Sequence, residues 1–166
     1  MIKKFSTFVN ESINTDSPKS VFFMGTTGSG KSTIYQNSQY SNLKLIDVDQ
    51  IMFKTYGSYN QEFIKDSISI MNQTIDKYLN QGKSFVKMGV GANFPGFLNY
   101  LRKAKSFGFN VELVYVDIDP QIAFQRVEKR ASETDRISTT FKQVKTKYIA
   151  SKSNFQVLIG DKSPTK

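Results

Sequence analysis

The octapeptide Gly25-Thr26-Thr27-Gly28-Ser29-Gly30-Lys31-Ser32 constrains this chain more than any other feature. It matches G-x-x-x-x-G-K-[ST] in full. The apolar run Val21-Phe22-Phe23-Met24 precedes it, and the helix-compatible Thr33-Ile34-Tyr35-Gln36 follows. A strand, a glycine-rich turn and a helix in that order let successive backbone amides point inward at phosphate oxygens. The sequence therefore predicts nucleotide contacts along Gly25, Thr26, Thr27, Gly28, Ser29, Gly30, Lys31, Ser32 and Thr33. Lys31 would reach the β- and γ-phosphates, and the Ser32 hydroxyl would take a place on Mg²⁺. The competing reading is a glycine-rich turn that binds nothing.

Around the loop the hydropathy pattern alternates. Val21–Met24, Leu43–Ile46, Ser84–Met88 and Val111–Val116 read as strands, and Gln156–Ile159 as a fifth. Ile64, Ile68, Met71, Ile75 and Leu79 recur at helical spacing up to Gly82. Phe97, Leu98, Leu101 and Ala104 mark a helix from about Pro95, a residue favoured in a first helical turn. Further helices are predicted from Pro120, with Ile122, Phe124 and Val127 on its apolar face, and over Thr139–Ala150. Strands alternating with helices imply an α/β fold, a parallel sheet with helices on both faces and ligands at the carboxyl ends of its strands. At 166 residues the chain has room for one domain. It is expected over 20–160, after a loose leader at 1–19 and before a short tail at 161–166.

Composition limits the chemistry. With no cysteine and no histidine, there is no disulfide framework, no Cys/His zinc site, no Ser-His-Asp triad and no thiol nucleophile. Catalysis must run on carboxylates, lysines, arginines, hydroxyls and backbone amides. Mean hydropathy is −0.39, and no apolar stretch approaches the ~18–20 residues of a membrane span. The expectation is a protein of the cytoplasm, the host cytoplasm if it is viral, with no membrane partner. Net charge is +9. From Pro120 onward ten basic residues face four acidic ones, so the C-terminal third would attract nucleotides, nucleic acid or other polyphosphates, unless it is simply a solvated basic surface.

Two constellations suit phosphoryl transfer. The second strand runs into Asp47-Val48-Asp49, where alternation puts both carboxylates on one side. Asp49 is the candidate base for an acceptor hydroxyl, and Asp47 the candidate carboxylate on the metal side. The alternative is a helix N-cap with a solvent-facing acid. Arg126 and Arg130 share a helical face, and Arg136 follows in a polar stretch. Together they could neutralise charge on a transferring phosphoryl group, although Arg130 could equally pair with Glu133.

These blocks resemble the P-loop small-molecule and polynucleotide kinases, in the zeta-toxin and polynucleotide-kinase branch. The phosphate loop, the Ile46-Asp47-Val48-Asp49 strand end, and the segments Phe109–Val116, Ala123–Arg130 and Asp135-Arg136-Ile137 carry the resemblance. It implies a five-stranded parallel sheet of the P-loop NTPase fold and ATP with Mg²⁺ as donor. The acceptor would be a hydroxyl on a nucleotide, nucleotide-sugar or polynucleotide, with Asp49 as general base and Arg126, Arg130 and Arg136 in a lid. Two positions depart from the family. Met52 stands where an arginine is common, and Val86–Gly91 lacks an acidic residue common at that strand end. Those departures keep open a catalytically inactive nucleotide-binding interaction protein.

The first residues resemble the capsid-targeting leaders of tailed-phage internal head proteins, cleaved after an apolar-x-Glu triplet, here Val9-Asn10-Glu11. That resemblance implies packaging in a virion and a capsid partner, as the toxin resemblance implies an antitoxin partner. The alternative is an amphipathic helix docked through Ile2, Phe5, Phe8 and Val9.

Overall fold

A computed structural model describes residues 2–6, 17–134, 136 and 139–160. The elements run β1 (Ile2–Ser6), β2 (Lys19–Met24), α1 (Lys31–Gln36), β3 (Lys44–Ile46) and α2 (Val48–Tyr56), then a 3₁₀ turn at Gln61–Phe63. They continue α3 (Ile64–Asn80), β4 (Phe85–Met88), α4 (Phe94–Ser106), β5 (Asn110–Val116), α5 (Pro120–Glu133) and α6 (Phe141–Leu158).

The sheet has the order β1-β5-β2-β4-β3. β3, β4, β2 and β5 are parallel, and β1 runs antiparallel on the β5 edge, Ile2 opposite Val116 and Ser6 opposite Glu112. The expected α/β fold is present with one correction: the parallel sheet has four strands, and the fifth strand is antiparallel. Gln156–Ile159 is not a strand; α6 continues through Leu158 because Phe155 and Leu158, three apart on a helix, both reach the core. Nor is the start of the chain a helix, since Ile2–Ser6 pairs as a strand. The rest of the expected leader, including the Val9-Asn10-Glu11 triplet, and the tail at 161–166 lie outside the described residues.

Strand alternation divides the core in two. Phe22, Met24, Phe85, Leu113 and Tyr115 face α3, α4 and α6, where Phe22 meets the Phe85 and Phe97 rings edge-on at 6.2 and 5.8 Å. Val21, Phe23, Val86, Met88 and Val114 face the other side, covered by Tyr40 with Ile34 and Tyr35 of α1. Along α3 the buried stripe is Ser67, Met71, Ile75 and Leu79, whereas Ile68 is exposed. On α5 Ala123 and Val127 are buried, and Ile122 turns outward. Among the described residues no helix is long and apolar enough to cross a membrane.

β2 lies between β4 and β5, neither of which is its neighbour in sequence. Crossovers therefore leave it to both sides, and the crevice at its carboxyl end is where such sheets take ligands.

Candidate functional site

The glycine-rich loop occupies that crevice. Gly25, Gly28 and Gly30 adopt φ of 144°, 82° and 91°, conformations that L side chains rarely adopt. At Gly28 a Cβ would also lie 2.2 Å from the Ala123 carbonyl oxygen, so α5 rests directly on the loop. At Gly30 it would meet the Arg126 guanidinium at 3.3 Å. The loop is braced from other directions too. Gly25 N–H donates to Val90 O (3.3 Å), and the buried Thr26 hydroxyl donates to Val144 O of α6 (3.1 Å).

Lys31 folds back over this loop. Its ammonium donates to Gly25 O (2.7 Å), Thr26 O (2.9 Å) and Ser29 Oγ (3.3 Å). Burial pulls its pKa down to about 8, with Asp47 and Asp49 opposing the shift and Arg130 adding to it. A part-buried ammonium held by two carbonyls and a hydroxyl, beside glycines that leave no side chain in the way, is a cradle suited to an anion. Ser32 is exposed at the start of α1, its hydroxyl 3.8 Å from Met88 Sδ. Thr33, by contrast, lines a cavity of about 410 Å³ on the α1 side of the sheet, with Phe23, Ile34, Tyr40 and Val114.

Asp47 ends β3 and caps α2, accepting from Gln50 N–H at 3.1 Å. The N-cap reading of this residue holds, and it does not displace Asp47 from the site. Burial first, then the Asp49 charge, raises its carboxyl above the ordinary value, while Lys31 counters. Asp49 follows in the first turn of α2 and is half exposed. Asp47 and Ser32 are hard oxygen donors beside the cradle, which suits Mg²⁺.

Arg136 reaches across to this pair. Its Nη1 donates to Asp49 Oδ2 at 2.8 Å, and its guanidinium lies 3.8 Å from the centroid of the Tyr59 ring. Burial alone would lower the Arg136 pKa, but Tyr59 and Asp49 outweigh it and the net shift is upward. Arg130 is half-buried, and burial and then the Arg136 charge push its pKa down, against Asp49 and Asp47. Arg126 is exposed and stands over Gly30. Thus Lys31, Asp47, Asp49, Arg130 and Arg136, from separate stretches of chain, share one electrostatic neighbourhood. Met52 is buried, 2% exposed, and belongs to the packing of α2.

Sequence reasoning missed two residues here. Tyr59 lies between α2 and α3 with no periodicity to mark it. Lys87 is buried at the end of β4, and its signal was visible: one charge inside the apolar run Phe85-Val86-Lys87-Met88.

The sequence model of the zeta toxin family matches residues 6–159. No curated protein matches the chain. Among solved structures, a chain of the Pnkp1/Rnl/Hen1 RNA repair complex is similar with a TM-score of 0.71 at 14% identity, over 89% of this chain and 49% of that one. A chain of the PezAT chromosomal toxin–antitoxin system of Streptococcus pneumoniae has a TM-score of 0.61 at 21% identity, over 71% and 54%. The AvrRxo1-ORF1:AvrRxo1-ORF2 structure with sulphate ions gives 0.68 at 17%, over 87% and 50%. At such identities the likeness is one of fold, and this chain spans about half the length of each of these three solved chains.

Proposed function

The chain belongs to the zeta toxin family; on that premise we propose that it is a P-loop kinase and transfers the γ-phosphoryl group of ATP to a hydroxyl of a nucleotide, nucleotide-sugar or polynucleotide. One observation carries the reading. Arg136 meets Asp49 at 2.8 Å, Arg130 stands within reach of both charges, and Asp47 and Asp49 act in turn on Lys31 of the phosphate loop. A cation on the phosphate loop, a carboxylate for the acceptor and guanidiniums for the moving group are the parts phosphoryl transfer requires.

In this mechanism the loop amides from Gly25 to Thr33 and the Lys31 ammonium bind the phosphates. The acceptor oxygen bonds to the γ-phosphorus as the bond from that phosphorus to the β–γ bridging oxygen breaks. The hydroxyl proton passes to Asp49, and ADP leaves with the bridging electrons. Arg126, Arg130 and Arg136 stabilise charge spreading over the phosphoryl oxygens. Mg²⁺, when bound, would draw charge from the β- and γ-oxygens, and Ser32 and Asp47 are the residues that would hold it. Arg136 occupies Asp49 in the described state, so the acceptor hydroxyl must share or take that place. An antitoxin partner belongs to the same proposal, supported by the likeness to a chain from a toxin–antitoxin system.

The test is transfer of labelled γ-phosphate from ATP to 5′-hydroxyl DNA and RNA, nucleosides, nucleotides and nucleotide-sugars, with and without Mg²⁺. The expected result is a labelled, Mg²⁺-dependent product that disappears in Asp49→Asn. ATP binding without transfer to any acceptor would overturn the kinase reading.

A further inference from the structure

Lys87 is the least expected side chain in the sheet. It lies on β4 between β2 and β3, paired in register with Phe22 on one side and Ile46 on the other. Only 6% of it is exposed. Lysines are almost never buried this far without a counter-charge. Yet among the described residues the Lys87 ammonium makes no hydrogen bond and no ion pair; its close contact is the Tyr100 ring of α4, 4.6 Å from the nitrogen to the ring centroid. Tyr100 is itself held in place, its hydroxyl donating to Asn72 Oδ1 of α3 at 2.6 Å.

Two details show that the ammonium faces an opening. The fully enclosed polar side-chain atoms lacking a partner, among the described residues, are the hydroxyls of Ser20, Ser67 and Tyr115. Lys87 Nζ is not one of them. Gly89, two residues on, has a φ outside the left-handed region, so its backbone does not require glycine. A Cβ there would come within 3.3 Å of Lys87 Nζ. The missing side chain leaves space beside a buried ammonium that has no anion against it.

The place of this opening gives it a purpose. Ile46, opposite Lys87, is followed directly by Asp47 and then by Asp49. The Asp47 charge is felt at Lys87, although the two form no ion pair.

We propose that Lys87, with Gly89 clearing the approach and Tyr100 fixing the side chain, is the specificity-determining residue of the acceptor site and selects acceptors that carry a phosphate or carboxylate group near the hydroxyl to be phosphorylated. The proposal rests on the kinase reading only for the word acceptor; the anion site stands on its own geometry. A neutral acceptor would leave the ammonium desolvated and unpaired, so an anion is favoured by what its absence would cost. Burial also brings the Lys87 pKa down to about 8, with Asp47 opposing the shift, and a bound anion would raise it again.

The test separates this site from the phosphate loop by first saturating the full chain with a non-hydrolysable ATP analogue and Mg²⁺. The Lys87 signal in a ¹³C-lysine NMR spectrum, assigned by its loss in Lys87→Met, is then followed during titration with inorganic phosphate and, separately, with acetate. A saturable shift is expected with at least one anion, its half-point rising tenfold or more in Gly89→Ala, which keeps the lysine. The stronger of the two anions identifies the group on the acceptor. No shift with either anion, or a half-point unchanged in Gly89→Ala, overturns the proposal. In the transfer assay, Lys87→Met should raise KM tenfold or more for acceptors bearing that group and leave KM for ATP unchanged. Transfer to neutral nucleosides with a silent Lys87 signal would keep the kinase reading and sink this one. A shifting signal without transfer to any acceptor would do the reverse.

Discussion

Arg136 Nη1 and Asp49 Oδ2 meet at 2.8 Å across 87 positions of sequence. The contact joins the segment beyond α5 to the start of α2, so the proposed base and a proposed phosphoryl-stabilising arginine are one paired unit before any substrate arrives. Tyr59 backs the guanidinium from the other side, which fixes the plane in which it can meet an anion.

Loss of the base should affect turnover and spare binding. Asp49→Asn is expected to lower kcat by roughly 100-fold or more, the usual scale for a positioned acid–base group. ATP affinity, followed by calorimetry, should change by less than about threefold, since the role proposed for Asp49 is on the acceptor side.

Arg136 should behave differently from a surface charge. Arg136→Lys keeps the charge but loses the planar stack on Tyr59, and a drop of about 100-fold in kcat is expected, below the full effect of an arginine finger. A double-mutant cycle with Asp49→Asn, read in kcat, should be strongly non-additive. Additive losses would separate the two residues.

Nucleotide affinity should fall as the solution becomes alkaline. Lys31 has its pKa lowered to about 8, and phosphate favours its charged form, so binding above that pH must take up a proton. The expectation is full affinity below pH 8 and a Kd that rises up to about tenfold per unit above it. Calorimetry in buffers of different ionisation enthalpy would detect the uptake at pH 9 and its absence at pH 6.5.

Gly28→Ala should damage the fold as well as the site. Its φ of 82° and the 2.2 Å approach to Ala123 O leave a methyl group nowhere to go without moving α5. A loss of about 2–4 kcal/mol in urea unfolding is expected, together with loss of ATP binding.

Lys87→Met should make the protein more stable at neutral pH. The folded-state pKa is lowered from 10.5 to about 8, so the folded protein bears the cost of the buried charge fully below pH 8 and sheds it as pH rises toward 10.5. Removing the charge should gain about 2 kcal/mol at pH 7, after the lost contact with Tyr100 is subtracted. The gap between wild type and variant in urea melts should close by about pH 10.

What could be read from the chain alone was what is local. The phosphate loop is written in eight consecutive residues, and four strands and most helices follow from short-range periodicity. Helix α2 escaped because Val48–Tyr56 is short, and its cap, Asp47, also looked like a metal-side acid. Gln156-Val157-Leu158-Ile159 has strand-like composition, and only the packing of Phe155 and Leu158 in the core decides for helix. The antiparallel edge strand and the Arg136–Asp49 pair are products of topology, and no spacing in the sequence encodes them. Lys87 was legible as an oddity, but its meaning depends on Gly89 and Tyr100 standing around it.

Lys31 holds three oxygens of its own loop, and this makes nucleotide capture a replacement reaction. An incoming phosphate gains only the difference between its hold on the ammonium and that of two carbonyls and a hydroxyl. A weakly charged oxygen has little to offer in that contest, whereas a polyphosphate tail, with several charges within a few bonds, wins it decisively. The lysine is thus a filter as well as a hand. Its resting partners set the charge density below which nothing is held.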